Sequence, residues 1–352
     1  MAMKKRQMMD GNTAAAYVAY PFTEIAAIYP ITPSSQMAEL TDIYSDSGRL
    51  NAFGQRVKLV EMQSEGGAAG SLHGALMAGA LGTTFTSCQG LLLMIPNMYK
   101  IAGEGLPGVI HVAARAVSAQ NISIYGDHSD VMETTRTGFA IVASANPQEC
   151  MDLGAVSHLS AISASLPVLH FFDGFRTSHE IRDIDVLDYE DLAAMIDWEA
   201  VRRHKERAFG PENPFITGVC INPDCYFQAK EATNPAYDRL AAAMQENLDR
   251  INALTGRDYK FFNYFGAPDA ERVLISMGSS CDVIRETIEK VCAQGEKVGA
   301  VAVHVYRPFS NEKLLAAIPA TAKAIAVLDR TKDPAADGEP LYLDVRNAFY
   351  AS

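Results

Sequence analysis

Six short apolar runs, each followed by a helical pattern, constrain this chain more than any other feature. They are Ile25–Tyr29, Val57–Val60, Thr83–Ser87, Val109–Ala113, Phe139–Ala143 and Pro167–Phe172. Alternating strands and helices predict an α/β fold with a doubly wound parallel sheet over residues 1 to about 180. In such sheets ligands bind outside the carboxyl ends of the strands. The turns that leave these strands are therefore where function is sought.

One such turn stands out. After the strand Val57–Val60 comes Glu61-Met62-Gln63-Ser64, then Glu65-Gly66-Gly67-Ala68-Ala69-Gly70-Ser71. Ser64 suits an N-cap, which puts Glu65 in the first helical turn. Three glycines in five positions cost helix stability, about 1 kcal/mol each against alanine. Such a surface suits the close approach of a flat ligand, a sheet or a second subunit, with Glu65 offering one carboxylate. A carboxylate that merely favours the helix dipole, over glycines that pack on the sheet, explains the same residues.

Two more turns carry candidates. Tyr29-Pro30-Ile31-Thr32-Pro33-Ser34-Ser35 holds Thr32 between two prolines, where the backbone is stiff, with Ser34 or Ser35 capping the next helix. A simple turn stabilised by a hydroxyl accounts for it equally. Arg115 follows the strand Val109–Ala113, where an arginine can grip an anionic substrate with two parallel bonds or form an ordinary surface ion pair. Asp127 and His128 offer acid–base groups, although a capped turn explains them better. Gly278-Ser279-Ser280 could hold an anion on backbone amides, and tight packing explains it too. Gly103-Glu104-Gly105-Leu106-Pro107-Gly108 spells a dinucleotide fingerprint but follows a helix and precedes a strand, the wrong context. It reads as a loop.

Net charge is −12 over 352 residues, which argues against a nucleic-acid surface. Apolar runs fall short of the roughly 18 residues of a membrane span, and no apolar segment of signal type follows Lys4, Lys5 and Arg6. The six cysteines form no C-x-x-C pair, so zinc and iron–sulfur ligation are not signalled, and free reduced thiols in a cytoplasmic protein are expected. The length suggests two domains. The first is expected over 1–260, with an excursion and linker at about 185–260 that includes helices at Asp191–Arg203 and Asn234–Ala253. A second α/β unit over 261–352 has strands at Arg272–Met277, Val298–Val305 and Ala322–Leu328, and helices at Ser280–Ala293, Asn311–Ala317 and Leu341–Tyr350.

Four blocks in order then resemble a known family. Asp10-Gly11-Asn12-Thr13-Ala14-Ala15, the Tyr29–Ser35 turn, Met62-Gln63-Ser64-Glu65-Gly66-Gly67-Ala68-Ala69-Gly70 and His111-Val112-Ala113-Ala114-Arg115-Ala116 resemble the N-terminal region of the pyruvate:ferredoxin (flavodoxin) oxidoreductases, in the 2-oxoacid:ferredoxin oxidoreductase family. Gly126-Asp127-His128-Ser129-Asp130 also fits. Arg307-Pro308-Phe309 resembles that family's second domain, of transketolase C-terminal type. The resemblance implies a thiamine diphosphate fold of the pyrimidine-binding type, followed by a second domain that looks incomplete at Ser352.

The family decarboxylates pyruvate oxidatively, passing electrons to ferredoxin or flavodoxin and acetyl to coenzyme A. By resemblance, Glu65 pairs with the cofactor's aminopyrimidine and Pro30 lies against the cofactor. Thr32 and Arg115 hold the pyruvate, Arg115 by charge and Thr32 by hydrogen bond. Mg²⁺ and the diphosphate are expected on a separate domain, since no G-D-G…N motif is found here. The [4Fe–4S] clusters are likewise expected in a missing part. The resemblance therefore implies the N-terminal part of an enzyme, inactive alone, whose partner is the remainder and whose full form is a homo-oligomer. Exposed apolar surface and self-association are expected where the second domain is cut. Another thiamine-dependent 2-oxoacid enzyme and a non-catalytic truncated fragment remain as alternatives.

Overall fold

The computed structural model describes residues 5–214 and 216–350. Lys4 and Ser352, named above, lie outside the described residues. A seven-stranded sheet forms the centre. Its order is Val305–Arg307, Ala140–Ser144, Val168–Asp173, Val109–Ala114, Gly82–Thr86, Ile25–Ile28 and Lys58–Glu61. The last six pair in parallel. These are the six expected strands, each within a residue or two of its expected place, in a doubly wound arrangement. Their carboxyl ends lie along one edge.

Save for the edge strand Lys58–Glu61, the parallel strands are largely buried, because helices cover both faces. The helix Pro147–Ala164 shows this most fully: a run of fifteen of its residues, Pro147 to Ile162 save Gln148, is buried. Asn146 caps its start by accepting from the Glu149 amide, with Pro147 at the first helical position, where its missing N–H costs nothing. The helix Gly11–Ala19 crosses it closely. A Cβ on Gly154 would meet Val18 at 2.6 Å. On another side lies the helix Asn234–Thr255, which buries Leu240, Met244, Leu248 and Ile251. The stretch 185–260 thus carries an amphipathic helix that completes the core. The helix expected at Asp191–Arg203 is two helices, Tyr189–Ala194 and Trp198–Glu206, interrupted after Met195.

Three strands have no counterpart in the sequence expectations. Arg6–Met9 pairs antiparallel with Arg182–Asp185. Phe262–Gly266 joins the second sheet, whose order is Ala324–Leu328, Arg272–Met277, Val298–Val303 and Phe262–Gly266. The run expected as one strand to Val305 breaks after Val303, and Val305–Arg307 crosses back to pair with Ala140–Ser144 of the large sheet. The two units therefore share a sheet.

Between the large sheet and the helix Pro147–Ala164 three buried histidines form a chain. The His111 Nδ1 lies 2.9 Å from the His170 Nδ1, and the His111 Nε2 lies 3.0 Å from the His158 Nε2. The Ser144 Oγ closes one end on His170 at 2.8 Å. Burial holds His111 down to about 3. Burial and the neighbouring rings hold His158 and His170 well below the usual range. Their folded values lie under the unfolded value near 6.5. Their contribution to stability is whole above about pH 6.5 and is lost as the pH falls through it. Burial pushes Asp130 up to about 7 and Asp152 up to about 6, and these two stabilise on acidification instead. Replacing one histidine removes part of the loss on acidification. Between about pH 7.5 and pH 5.5 the change in urea midpoint is expected to be shifted toward stabilisation in His158→Gln relative to wild type.

Candidate functional site

The candidate residues come from four strand ends on one edge of the sheet. Ser64, extended at φ −166°, accepts from the Gly67 amide at 3.1 Å and starts the helix Glu65–Met77. This places Glu65 in the first turn, only 7 % exposed. The glycines do not pack on the sheet as a group. A Cβ on Gly70 or Gly74 would meet nothing within 4 Å. One face of the helix is thus bare.

The opposite wall is the turn after Gly82–Thr86. Here the helix Cys88–Gly103 begins. Cys88 takes a left-handed backbone, φ 49°, so that its amide can donate to the Asp130 Oδ2 at 2.7 Å. Gly90 comes directly against the acid. A Cβ there would lie 2.8 Å from the Glu65 Oε1 and 2.7 Å from the Thr86 Oγ1. The Thr86 hydroxyl is buried with no hydrogen-bond partner. A carboxyl and an unpaired buried hydroxyl thus face a backbone stripped of side chain.

Arg115 directly follows the strand Val109–Ala114 and is 7 % exposed. Its backbone amide donates to the Asp130 Oδ2 at 3.1 Å. The Nη1 donates to the Thr32 carbonyl at 2.6 Å and the Nη2 to the Gln89 Oε1 at 3.3 Å. The Nε is buried without a partner. Among the described residues no carboxylate pairs with this guanidinium. A buried cation facing only neutral oxygens is costly unless an anion joins it.

Glu65, Thr32 and Arg115 thus gather at one edge, joined through Gln89 and Gly90. Thr32 and Pro30 are exposed, and it is the Thr32 carbonyl that meets Arg115. Ser34 precedes the helix Ser35–Asp46 without a capping bond to it; its hydroxyl donates to the Ile31 carbonyl at 2.7 Å. Asp127 accepts from the Ser129 amide at 2.7 Å, the capped turn of the sequence reading. His128 is buried against Asp173 at 2.6 Å, away from solvent. The turn at Ser279 does hold an anion, and it is the Asp173 carboxylate. Sequence reasoning passed over Gln89, Gly90 and Asp130 as site residues. The short turn Cys88-Gln89-Gly90 after an apolar strand was the available signal. All six cysteines are free, and no group of three or more His, Cys, Asp or Glu among the described residues could hold a metal ion. No helix of the described residues is long and apolar enough to cross a membrane.

A doubly wound parallel sheet with its candidate residues beyond the carboxyl ends of the strands is the layout of an α/β ligand-binding domain. Residues 17–248 match the family described as pyruvate flavodoxin/ferredoxin oxidoreductase, thiamine diphosphate-binding, and residues 270–352 match pyruvate:ferredoxin oxidoreductase core domain II. The chain is 57% identical over 344 residues to the pyruvate:ferredoxin oxidoreductase of Moorella thermoacetica, covering 98% of this chain and 29% of that protein. It is 56% identical over 348 residues to the pyruvate-flavodoxin oxidoreductase of Enterobacter agglomerans, covering 99% and 30%. The 2-oxoglutarate:ferredoxin oxidoreductase of Magnetococcus marinus, solved with 2-oxoglutarate, coenzyme A and succinyl-CoA bound, shares the fold. The TM-score is 0.69 at 18% identity, over 93% of this chain and 58% of that one. The chain belongs to the pyruvate:ferredoxin/flavodoxin oxidoreductase family, and spans about 30% of the length of these two curated relatives.

Gly90→Ala is expected to disturb this site first, because its methyl must displace the Glu65 carboxyl or the Thr86 hydroxyl. Overpacking of this kind costs about 1–3 kcal/mol. A melting temperature lowered by several degrees, with the far-ultraviolet spectrum kept, is the expected result.

Proposed function

We propose that this chain supplies the aminopyrimidine side of a thiamine diphosphate site and the arginine that holds the carboxylate of pyruvate. The observation that carries this reading is the buried Arg115 guanidinium, without a carboxylate partner, on the same edge as Glu65. The residues fit the cofactor. Glu65 offers a carboxyl in the first turn of a helix, with the Gly90 backbone directly against it. Pro30 lies on the exposed turn that faces the same edge.

When bound, the cofactor supplies a carbon nucleophile for a 2-oxoacid. The chain's own residues do the rest. Glu65 holds and shares a proton at the pyrimidine ring nitrogen; a poorly solvated carboxyl suits that task. Arg115 exchanges its neutral oxygen partners for the substrate carboxylate and orients the 2-oxo carbon, a positioning effect. Thr32, on its stiff turn, adds a hydrogen bond to the same substrate.

The reaction of the whole enzyme is the oxidative decarboxylation of pyruvate, with acetyl passed to coenzyme A and electrons to ferredoxin or flavodoxin. Mg²⁺, the diphosphate site and [4Fe–4S] clusters would lie in the additional length that the relatives carry. The remainder of the enzyme is thus the chain's partner in a cytoplasmic homo-oligomer. By itself the chain is expected to give no pyruvate-dependent dye reduction, and turnover by the purified 352-residue chain would contradict this.

Calorimetric titration of thiamine diphosphate with Mg²⁺ into the chain, alone and mixed with the complementary part of the enzyme, tests the reading. Binding in the mixture that is lost in Glu65→Gln supports it; no binding in either case overturns it. In the reconstituted enzyme Arg115→Lys is expected to lower kcat/KM for pyruvate by roughly 100-fold, since lysine cannot reproduce the planar fork. Assaying 2-oxoglutarate and bulkier 2-oxoacids beside pyruvate fixes the substrate.

A further inference from the structure

A second aspartate, Asp173, gathers groups from both units behind the candidate site. It ends the strand Val168–Asp173 and is paired in register with Ala114, the residue before Arg115. Its Oδ1 lies 2.6 Å from the His128 Nε2. Its Oδ2 accepts from the Ser279 amide at 2.9 Å, from the Ser279 hydroxyl and from the Arg330 Nη1 at 2.8 Å. Burial alone would raise this carboxyl, but His128 and Arg330 hold it well below the usual range. Ser279 and Arg330 both belong to the second unit.

Arg330 does more than neutralise Asp173. Its Nη1 also donates to the Ser279 Oγ at 2.7 Å, its Nε donates to the Gly126 carbonyl at 3.0 Å, and its own carbonyl accepts from the His128 amide at 2.8 Å. The segment Gly126–His128 is therefore clasped on backbone and side chain by one residue. Gly278, at φ 76°, lets the second unit come this near. A Cβ there would lie 3.0 Å from the His128 Nε2.

The clasped segment leads directly into the groups that hold Arg115. Ser129 accepts from the Val117 amide at 2.9 Å. Asp130 accepts from the amides of both Arg115 and Cys88. A contiguous set of bonds thus runs from Arg330 through Gly126–His128 and Ser129–Asp130 to the backbone on either side of the Arg115 guanidinium.

We infer that Arg330 and Ser279 are positioning residues for Arg115, so that the second unit sets the geometry of the substrate-carboxylate site in the first. The functional half of this inference rests on the function proposed above; the structural half does not. A residue that touches no substrate can still act on it, because small misplacements of a charged anchor are costly.

Two readouts test it. Hydrogen exchange on the chain itself compares wild type with Arg330→Gln. Exchange at the amides of Cys88, Arg115, Val117 and His128 is expected to quicken by about tenfold or more, with Ile25–Ile28 on the far side of the sheet unchanged. Uniform quickening everywhere, or none at these four, overturns the coupling. Ser279→Ala, a smaller change that keeps Arg330, gives the same pattern more weakly and serves if Arg330→Gln does not fold. In the complete enzyme Arg330→Gln is expected to raise KM for pyruvate by about tenfold while kcat changes little. An unchanged KM overturns the positioning role, provided that Arg115→Lys raises it in the same assay. If Arg115→Lys has no effect either, it is the proposed function that fails, and the exchange experiment still decides the coupling.

Discussion

One buried carboxylate ties the site together. Asp130 is fully buried, and it accepts backbone amides from Cys88, Arg115 and Val131. The first two sit at the ends of neighbouring parallel strands, on different turns. Without a common acceptor, each turn would leave a buried N–H unpaired, at a cost of about 1–3 kcal/mol. With it, the turn that carries Gly90 and the strand end that carries Arg115 are fixed relative to each other. The left-handed backbone of Cys88 follows from the same bond. Strain at that residue is the cost of aiming its amide at Asp130.

The arrangement divides the work between fixed and adaptable groups. Backbone amides, the sheet register and buried aspartates hold the frame. Seven buried side-chain atoms among the described residues lack a hydrogen-bond partner, the Thr86 hydroxyl and the Arg115 Nε among them. Polar atoms in a protein interior are seldom left so. Thr86 and Arg115 lie on either side of Gln89 and Gly90, next to Glu65. The buried histidine chain shows the contrast. His111 spends both ring nitrogens on its neighbours and retains none for a ligand.

Much of this was legible in the sequence. Apolar runs alternating with helical patterns marked the six parallel strands. Glu65 and Arg115 could be picked out because both follow strands, and strand ends share an edge in any parallel sheet. What escaped reading was non-local or short. Arg6–Met9 and Arg182–Asp185 are polar four-residue strands that exist only because each finds the other across the chain. Phe262–Gly266 and Val305–Arg307 are defined by their partners in the same way. Asp130 and Arg330 are ordinary polar residues in sequence, and their role depends on atoms brought from distant elements. The linker reading of 185–260 followed from its prolines and polarity; the buried stripe of Asn234–Thr255 shows how one face can serve the core while the other stays solvated.

The strand Val305–Arg307 has a further consequence. It covers Ala140–Ser144, all five residues of which are buried. Stripped of that cover, the large sheet would end in a row of unpaired N–H and C=O groups flanked by apolar side chains, the template on which other chains add strands. The second unit therefore also protects the first from aggregation. Dividing this polypeptide between its two sheets, in a gene or in a protease digest, would expose a sticky margin rather than release two independent modules.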